Sequence, residues 1–290
     1  MIRKGIQEYP IMLRWLRGRS DKLGVALSGG GARGLAHIGV LKVLEREGIP
    51  IHCLSGASMG GVVAAAYASG TSAEDLEAEA IKMGGLRELA KLVDIRPPRR
   101  GLLDGKNVRR YLSQLIPEGI TFDQLHIPTA LKAVDLNQGI EVDLTEGLVL
   151  DAILATSAFP GIFPPFMRGD MHLVDGGVLN NLPVDLLKRL GANATLAVNV
   201  SPIFEGKASD PPPSLARLPI FAFDIYLTIL LMTRTLTMSQ VKEQPPDILI
   251  EPEIPISIGL FSGFTHPEEV IKVGERAAES ALDQIRELVD

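Results

Sequence analysis

The chain reads as an α/β fold, with a mostly parallel central sheet and helices on both of its faces. Two observations predict it. A short apolar run, a glycine-rich break and a helix-patterned stretch follow one another twice between residues 24 and 70, and such alternation makes strands run parallel under covering helices. Further apolar runs then alternate with helical patterns for most of the chain.

Gly24–Leu27 is the first buried strand, and Gly29-Gly30-Gly31 break the chain after it. Leu35, Ile38, Leu41 and Leu44 give helical spacing to Leu35–Glu47, which Gly48 stops. Ile51–Leu54 is a second buried strand. A tight turn over Gly56–Gly60 leads into an Ala-rich helix, Val62–Ala68, ended by Gly70. Ser72 is placed to cap a helix over Ala73–Met83, and Asp94–Gly105, with Pro97 and Pro98, is a loop. Thr129–Asp135 and Ile140–Leu144 flank Asn137-Gln138-Gly139 as a β-hairpin. Leu148–Thr156 is helical, Ala158–Pro165 is rich in turns, and Leu173–Val174 is a short strand ending at Asp175-Gly176-Gly177. Val184–Leu190 is a helix and Ala194–Val200 a strand. Gly206–Pro213 is a polar, proline-rich loop or linker. An apolar helix follows, Asp247–Ile250 is the last strand, and a helix from Pro267 to Val289 closes the chain. No internal repeat is present. The expected division is a basic arm, 1–22, and one domain, 23–290.

Of the 290 residues 46% are hydrophobic and 22% charged, so a large core is available and a disordered or fibrous chain is excluded. The net charge of −6 argues against a general nucleic-acid binder. It is unevenly spread: Arg3, Lys4, Arg14, Arg17, Arg19 and Lys22 face only Glu8 and Asp21 in the arm. One cysteine, Cys53, excludes an internal disulfide and fits a reducing compartment. Its apolar setting marks a buried structural thiol. No signal peptide is visible, and Leu218–Met232 contains Asp224 and falls short of the roughly 18–20 apolar residues that span a bilayer. The expected location is cytoplasmic.

Gly29-Gly30-Gly31-Ala32-Arg33-Gly34 lies between a strand and a helix and satisfies G-x-G-x-x-G. A dinucleotide site would also need an acidic residue at the tip of the second strand, where Leu54-Ser55 stand instead. The same glycines can instead gather backbone N–H groups into a nest at a helix start, suited to an oxyanion; a tight packing turn is the plain alternative. Gly56-Ala57-Ser58-Met59-Gly60 is G-x-S-x-G between strand and helix, the setting of a nucleophile elbow.

A serine hydroxyl needs a base. The five histidines, His37, His52, His126, His172 and His266, stand in no catalytic setting. Asp175, at a strand end on the sheet edge where βα loops gather, is the other candidate. A carboxylate can serve if burial raises its basicity, although an Asp-Gly-Gly is equally an ordinary turn.

Together, in this order, the three motifs resemble those of the patatin-like phospholipases: G-G-G-x-R-G, G-x-S-x-G and D-G-[GA]. Ala155-Thr156-Ser157-Ala158-Phe159-Pro160 and Phe163-Pro164-Pro165 add a further similar stretch. The likeness covers roughly residues 23–200, nearest to the compact bacterial members and the neuropathy target esterase domain. It implies a three-layer α/β/α fold, Ser58 as nucleophile and Asp175 as base of a dyad. It also implies an oxyanion or substrate-binding set of Gly29, Gly30, Gly31, Ala32, Arg33, Gly34 and Met59, in which Gly30, Gly31 and Ala32 offer the oxyanion N–H groups and Arg33 clamps the loop. Gly56, Gly60, Gly176 and Gly177 complete the motifs. No metal and no cofactor is implied, and the substrate is a lipid or a simple acyl ester.

Two other readings stay open. An α/β-hydrolase triad would use Ser58, Asp175 and His266, although only 57 residues precede the serine. A binding module with a relict site would use none of them. Peripheral contact with the inner face of a membrane, through Leu13, Trp15 and Leu16 or through 218–232, competes with plain packing of those segments. Oligomeric state is left open.

Overall fold

The structure is a computed structural model and describes residues 22–92, 105–203, 220–255, 258–259 and 262–289. The expected arm up to Asp21, the loop 94–104, the segment Gly206–Pro213 and the start of the apolar stretch 218–232 lie outside the described residues. The strands are β1 (Leu23–Leu27), β2 (Cys53–Gly56), β3 (Thr129–Asp135), β4 (Ile140–Leu144), β5 (Phe166–Arg168), β6 (Met171–Asp175), β7 (Ala194–Val198) and β8 (Ile248–Ile250). The first five helices are α1 (Ala36–Arg46), α2 (Ser58–Ala68), α3 (Ala73–Met83), α4 (Leu86–Leu92) and α5 (Lys106–Leu112). After them come α6 (Val149–Thr156), α7 (Val184–Arg189), α8 (Ile220–Glu243), α9 (Pro267–Ser280) and α10 (Leu282–Val289).

β3, β2, β1, β7 and β8 run parallel in that order, and β4, β5 and β6 make the sheet mixed. Leu23, Val25 and Leu27 of β1 and Leu196 and Val198 of β7 bury against the helices of one face, chiefly α1, α2, α6 and α9. Ala26, Cys53 and Ala197 point the other way, under α7 and the end of α8. The α/β expectation with helices on both faces therefore holds, and the second face is the thinner. Small side chains there let α7 lie close to the sheet. On the first face α1 and α9 cross at Gly39 and Gly274; a Cβ on Gly274 would sit 1.9 Å from the Ala36 carbonyl oxygen. That crossing backs α1, and α1 carries the glycine loop at its start. Among the described residues no helix is long and apolar enough to cross a membrane.

The register of β3 brings the two motif-bearing strands together. Leu131 pairs with Leu144 of β4 on one edge and with Gly56 of β2 on the other. Ala133 pairs with Val142 of β4 and with Asp175 of β6. So β2 and β6 lie on the same edge of β3, end to end and pointing at each other, with the level of Lys132 between them. The expectation that Asp175 sits among parallel βα loops is corrected: β6 is antiparallel and arrives from the opposite direction. Its hairpin partner β5 carries no strong strand pattern, which is why the sequence shows only Leu173–Val174.

Other boundaries shift for local reasons. The second strand is Cys53–Gly56 rather than Ile51–Leu54, because pairing with Ala26, Leu27, Ala130 and Leu131 extends it through Ser55 and Gly56. Ser55 is buried there with its hydroxyl donating to the Pro183 carbonyl, 2.8 Å. The second helix begins at Ser58 rather than Val62. The closing helix breaks at Ala281, and the new direction packs α10 on β7 with Ile285 and Leu288 buried.

The side chain of Lys132 is 2% exposed, in the middle of the sheet. Its ammonium meets Asp143 across the strand at 2.6 Å, Glu141 at 2.8 Å and Asp185 of α7 at 3.2 Å. Burial alone would push this ammonium down; hydrogen bonds to Asp143 and Glu141 and the charge of Asp185 outweigh that and hold it above its ordinary value. Removing one member of such a cluster strands the other charges. Lys132→Met should therefore cost about 3 kcal/mol or more in urea unfolding, and Ile81→Ala, on the exposed side of α3, much less.

Candidate active site

Ser58 begins α2 immediately after Ala57, an extended residue. It is the only non-glycine with positive φ (52°) among the described residues, a conformation that costs a residue with a Cβ. Three contacts hold it there. Ala57 N–H donates to the Leu27 carbonyl. Gly60 lies so close to that strand that a Cβ would come 2.2 Å from the same oxygen, and Gly56 abuts Gly60 from the other side. Ser58 N–H donates to Thr156 Oγ1 at 3.0 Å, and the Thr156 hydroxyl donates in turn to the Lys132 carbonyl.

Thr156 thus fills the space between the facing ends of β2 and β6. The Lys132 carbonyl on that edge has no strand opposite it, and the threonine hydroxyl satisfies it while receiving the serine amide. Asp175 is held from the same segment, its N–H donating to the Ala158 carbonyl at 3.1 Å. Ser58 Oγ donates to Asp175 Oδ2 at 2.6 Å, and Gly177 N–H donates to Oδ1 at 2.8 Å. Gly176 lets the turn pass against the Lys132 carbonyl. Asp175 is 2% exposed. Burial pushes its carboxyl up to about 6, against the hydrogen bonds from Ser58 and Gly177, which favour the charged form. Burial thus makes this carboxylate more basic than an exposed one, and it already touches the serine hydroxyl.

Gly29 N–H donates to the Asn181 carbonyl and Arg33 N–H to the Gly30 carbonyl. The N–H groups of Gly30 and Gly31, at the start of the 3₁₀ turn Gly31–Leu35, have no acceptor among the described residues. With Gly29 they line a cavity of about 850 Å³ that also contains Ser58 and Asp175. Ala32, Arg33, Gly34 and Met59 are not among the residues that line that cavity, although the Ala32 N–H, like those of Gly30 and Gly31, has no acceptor among the described residues. Ala32 is buried against Gly263, and Gly34 packs on the Met59 side chain. Arg33 is buried with its guanidinium donating to the carbonyls of Val200, Ile254, Pro255 and Ile258. It ties the loop to the chain after β7 and β8.

The histidines stay apart from this chemistry. His266 is exposed at the start of α9, its Nδ1 beside Thr265 Oγ1, so nothing places it between Ser58 and Asp175. Burial pushes the His37 ring down to about 4, and its Nε2 donates to the Ser28 carbonyl at 2.8 Å, bracing the loop from behind. No cluster of metal-ligating side chains occurs among the described residues. Sequence reasoning missed Thr156 and Asn181. The stretch Ala155–Pro160 is distinctive, but only the coordinates show that it touches both Ser58 and Asp175.

The class these features define is an α/β fold in which a strained serine, a buried carboxylate and a glycine-rich loop share one cleft. The model of the patatin-like phospholipase family matches residues 25–188, and the chain belongs to that family. An uncharacterized NTE family protein of Mycobacterium tuberculosis is 32% identical over 206 residues, 71% of this chain and 56% of that protein. Neuropathy target esterase of Drosophila melanogaster is 29% identical over 197 residues, 67% of this chain and 14% of that protein. The chain thus spans about half or less of the length of these relatives. VipD from Legionella pneumophila shares the fold, with a TM-score of 0.51 at 14% identity over 92% of this chain and 67% of that one.

The raised carboxyl has a thermodynamic signature. Between the ordinary value of 3.8 and about 6, the folded protein holds the Asp175 proton while the unfolded chain has released it. Stability from this group therefore falls as pH rises through that window. Asp175→Asn should be the more stable protein at pH 8 by up to about 3 kcal/mol, with the difference closing as pH falls below 4. Urea unfolding across pH checks this, and a mutant less stable at pH 8 contradicts it.

Proposed function

We propose that this chain is a carboxylic ester hydrolase acting on acyl lipids, with Ser58 as nucleophile and Asp175 as the sole general base. The observation that carries the reading is the 2.6 Å hydrogen bond from Ser58 Oγ to Asp175 Oδ2. Family membership and the esterase named among its relatives support it.

The steps follow from the geometry. Asp175 accepts the Ser58 proton as Oγ attacks the ester carbonyl carbon. The carbonyl π pair moves onto oxygen, and the N–H groups of Gly30 and Gly31 receive it beside the start of a helix. Collapse of the tetrahedral intermediate breaks the bond to the alcohol, which leaves with the proton from Asp175. Water then gives a proton to Asp175 and attacks the acyl-serine. Collapse releases the acid, and the proton returns to Ser58. Gly177 N–H holds the second carboxylate oxygen, so Oδ2 stays aimed at the serine through both halves.

The setting is proposed to be cytoplasmic, in keeping with a single buried thiol, and peripheral to a membrane. Val178, Leu231 and Met232 are exposed apolar side chains lining the cleft, a surface suited to resting on lipid.

Hydrolysis of a nitrophenyl ester tests the assignment. Ser58→Ala and Asp175→Asn should each lower kcat/KM by about a thousandfold or more, whereas His266→Ala should change it less than twofold. Because only deprotonated Asp175 can accept the proton, the wild-type rate should rise with pH to a plateau above about 6. Near-normal turnover by folded Ser58→Ala or Asp175→Asn removes the proposal.

A further inference from the structure

We infer that α8 is the acyl-binding wall of the cleft, so that the preferred substrates are esters of long acyl chains whose length is read by Ile229, Met232 and Leu236. This rests on the ester-hydrolase reading above and specifies its substrate.

α8 lies beyond the residues that match the family model, which end at 188, yet it supplies a whole side of the cavity around Ser58. Its two halves differ. The downstream half is fastened to the core: Thr237 and Val241 are buried, Arg234 pairs with Glu251 at 2.8 Å, and Gln240 donates to the Leu179 carbonyl at 3.0 Å. The upstream half carries Ile225, Ile229, Met232 and Leu236 at spacings of four, three and four, one stripe of a helix. The last three of these line the cleft. Met232 is 66% exposed and Leu236 37%, so this part of the stripe faces water.

Beside the glycine loop the lining is polar, and Phe159, Pro160, Val178, Leu179 and Pro202 add a second, shorter apolar wall. Asn181 Nδ2 donates to the Gly29 carbonyl and to Ser201 Oγ at 3.2 Å, and both side chains line the cavity beside the glycine loop. An ester with its carbonyl at Gly30 and Gly31 has an uncharged polar patch beside it and apolar walls beyond, of which α8, with Ile229, Leu230, Leu231, Met232 and Leu236, supplies the longest run. The acyl chain belongs along the α8 wall, where each methylene removed from water strengthens transition-state binding. A short acyl group cannot reach along the stripe and leaves it wet.

The test compares kcat/KM for nitrophenyl acetate, butyrate, hexanoate and octanoate, below their aggregation limits, in wild type and in Ile229→Trp and Leu236→Trp. In wild type kcat/KM should climb roughly threefold per added methylene. In the tryptophan variants the octanoate-to-acetate ratio should fall about tenfold or more. A general folding defect lowers both substrates together and leaves that ratio in place, and two variants at separate turns guard against one that fails to fold. A ratio within twofold of wild type in either active variant, or a flat wild-type series, overturns the α8 assignment while leaving the ester-hydrolase reading intact. Failure of the wild type to turn over any of these esters overturns both.

Discussion

Two strands that meet head-on along one edge of β3 set the geometry of the site. β2 reaches the level of Leu131 and β6 descends to Ala133, so Lys132 faces a break in the pairing. A carbonyl left open inside a sheet must find a donor, and the Thr156 hydroxyl is that donor. Because the same oxygen also accepts from Ser58 N–H, the requirement to close the sheet and the requirement to fix the elbow are met by one atom. On the far side, Asp175 ends β6 at the height where α2 begins. Neither side chain needs a long loop to reach the other. The side chain of Lys132 reinforces the same point by locking β3 to β4 and α7.

Much of this was legible in the sequence, and the parts that were not have physical causes. The repeated strand–glycine–helix pattern carried the parallel half of the sheet, because β1 and β7 are mostly apolar runs, while β2 was placed two residues early since its Ser55 and Gly56 carry no strand pattern. The hairpin of β3 and β4 was legible with its limits, since Gly139 takes the positive φ that its turn needs. The direction of β6 was hidden: a five-residue strand carries no mark of whether its neighbour runs with it or against it. Ser58, Asp175 and Gly29–Gly31 could be named from motifs, yet the ranking within the loop could not. A buried arginine with four carbonyl partners and a solvent-facing one read alike until the chain after β7 and β8 is folded over it. Thr156 was visible as part of a distinctive stretch, but its meaning depends on an opening in a sheet 24 residues upstream.

The site also bears a cost that the rest of the fold must offset. Ser58 adopts a backbone conformation that disfavours any side chain, and Asp175 is kept from water with only two hydrogen bonds to its charged form. Both features lower stability, and under the proposed mechanism both serve reactivity, a tension common to sites that hold chemistry in readiness. The compensation lies in the well-packed face beneath them, where α1, α2, α6 and α9 bury the large aliphatic side chains of the sheet. The thinner face, with α7 and the fastened half of α8, has little such reserve.

Cys53 lies on that thinner face, and it is the one cysteine in the sequence. Its thiol is buried near the Leu187 carbonyl, and burial pushes it up to about 11, so almost no thiolate exists at neutral pH to meet an alkylating reagent. The folded protein should therefore react only slowly with maleimides. A cysteine introduced on any exposed turn would be a single addressable handle, and a fluorophore or spin label attached there would report the movements of that turn alone.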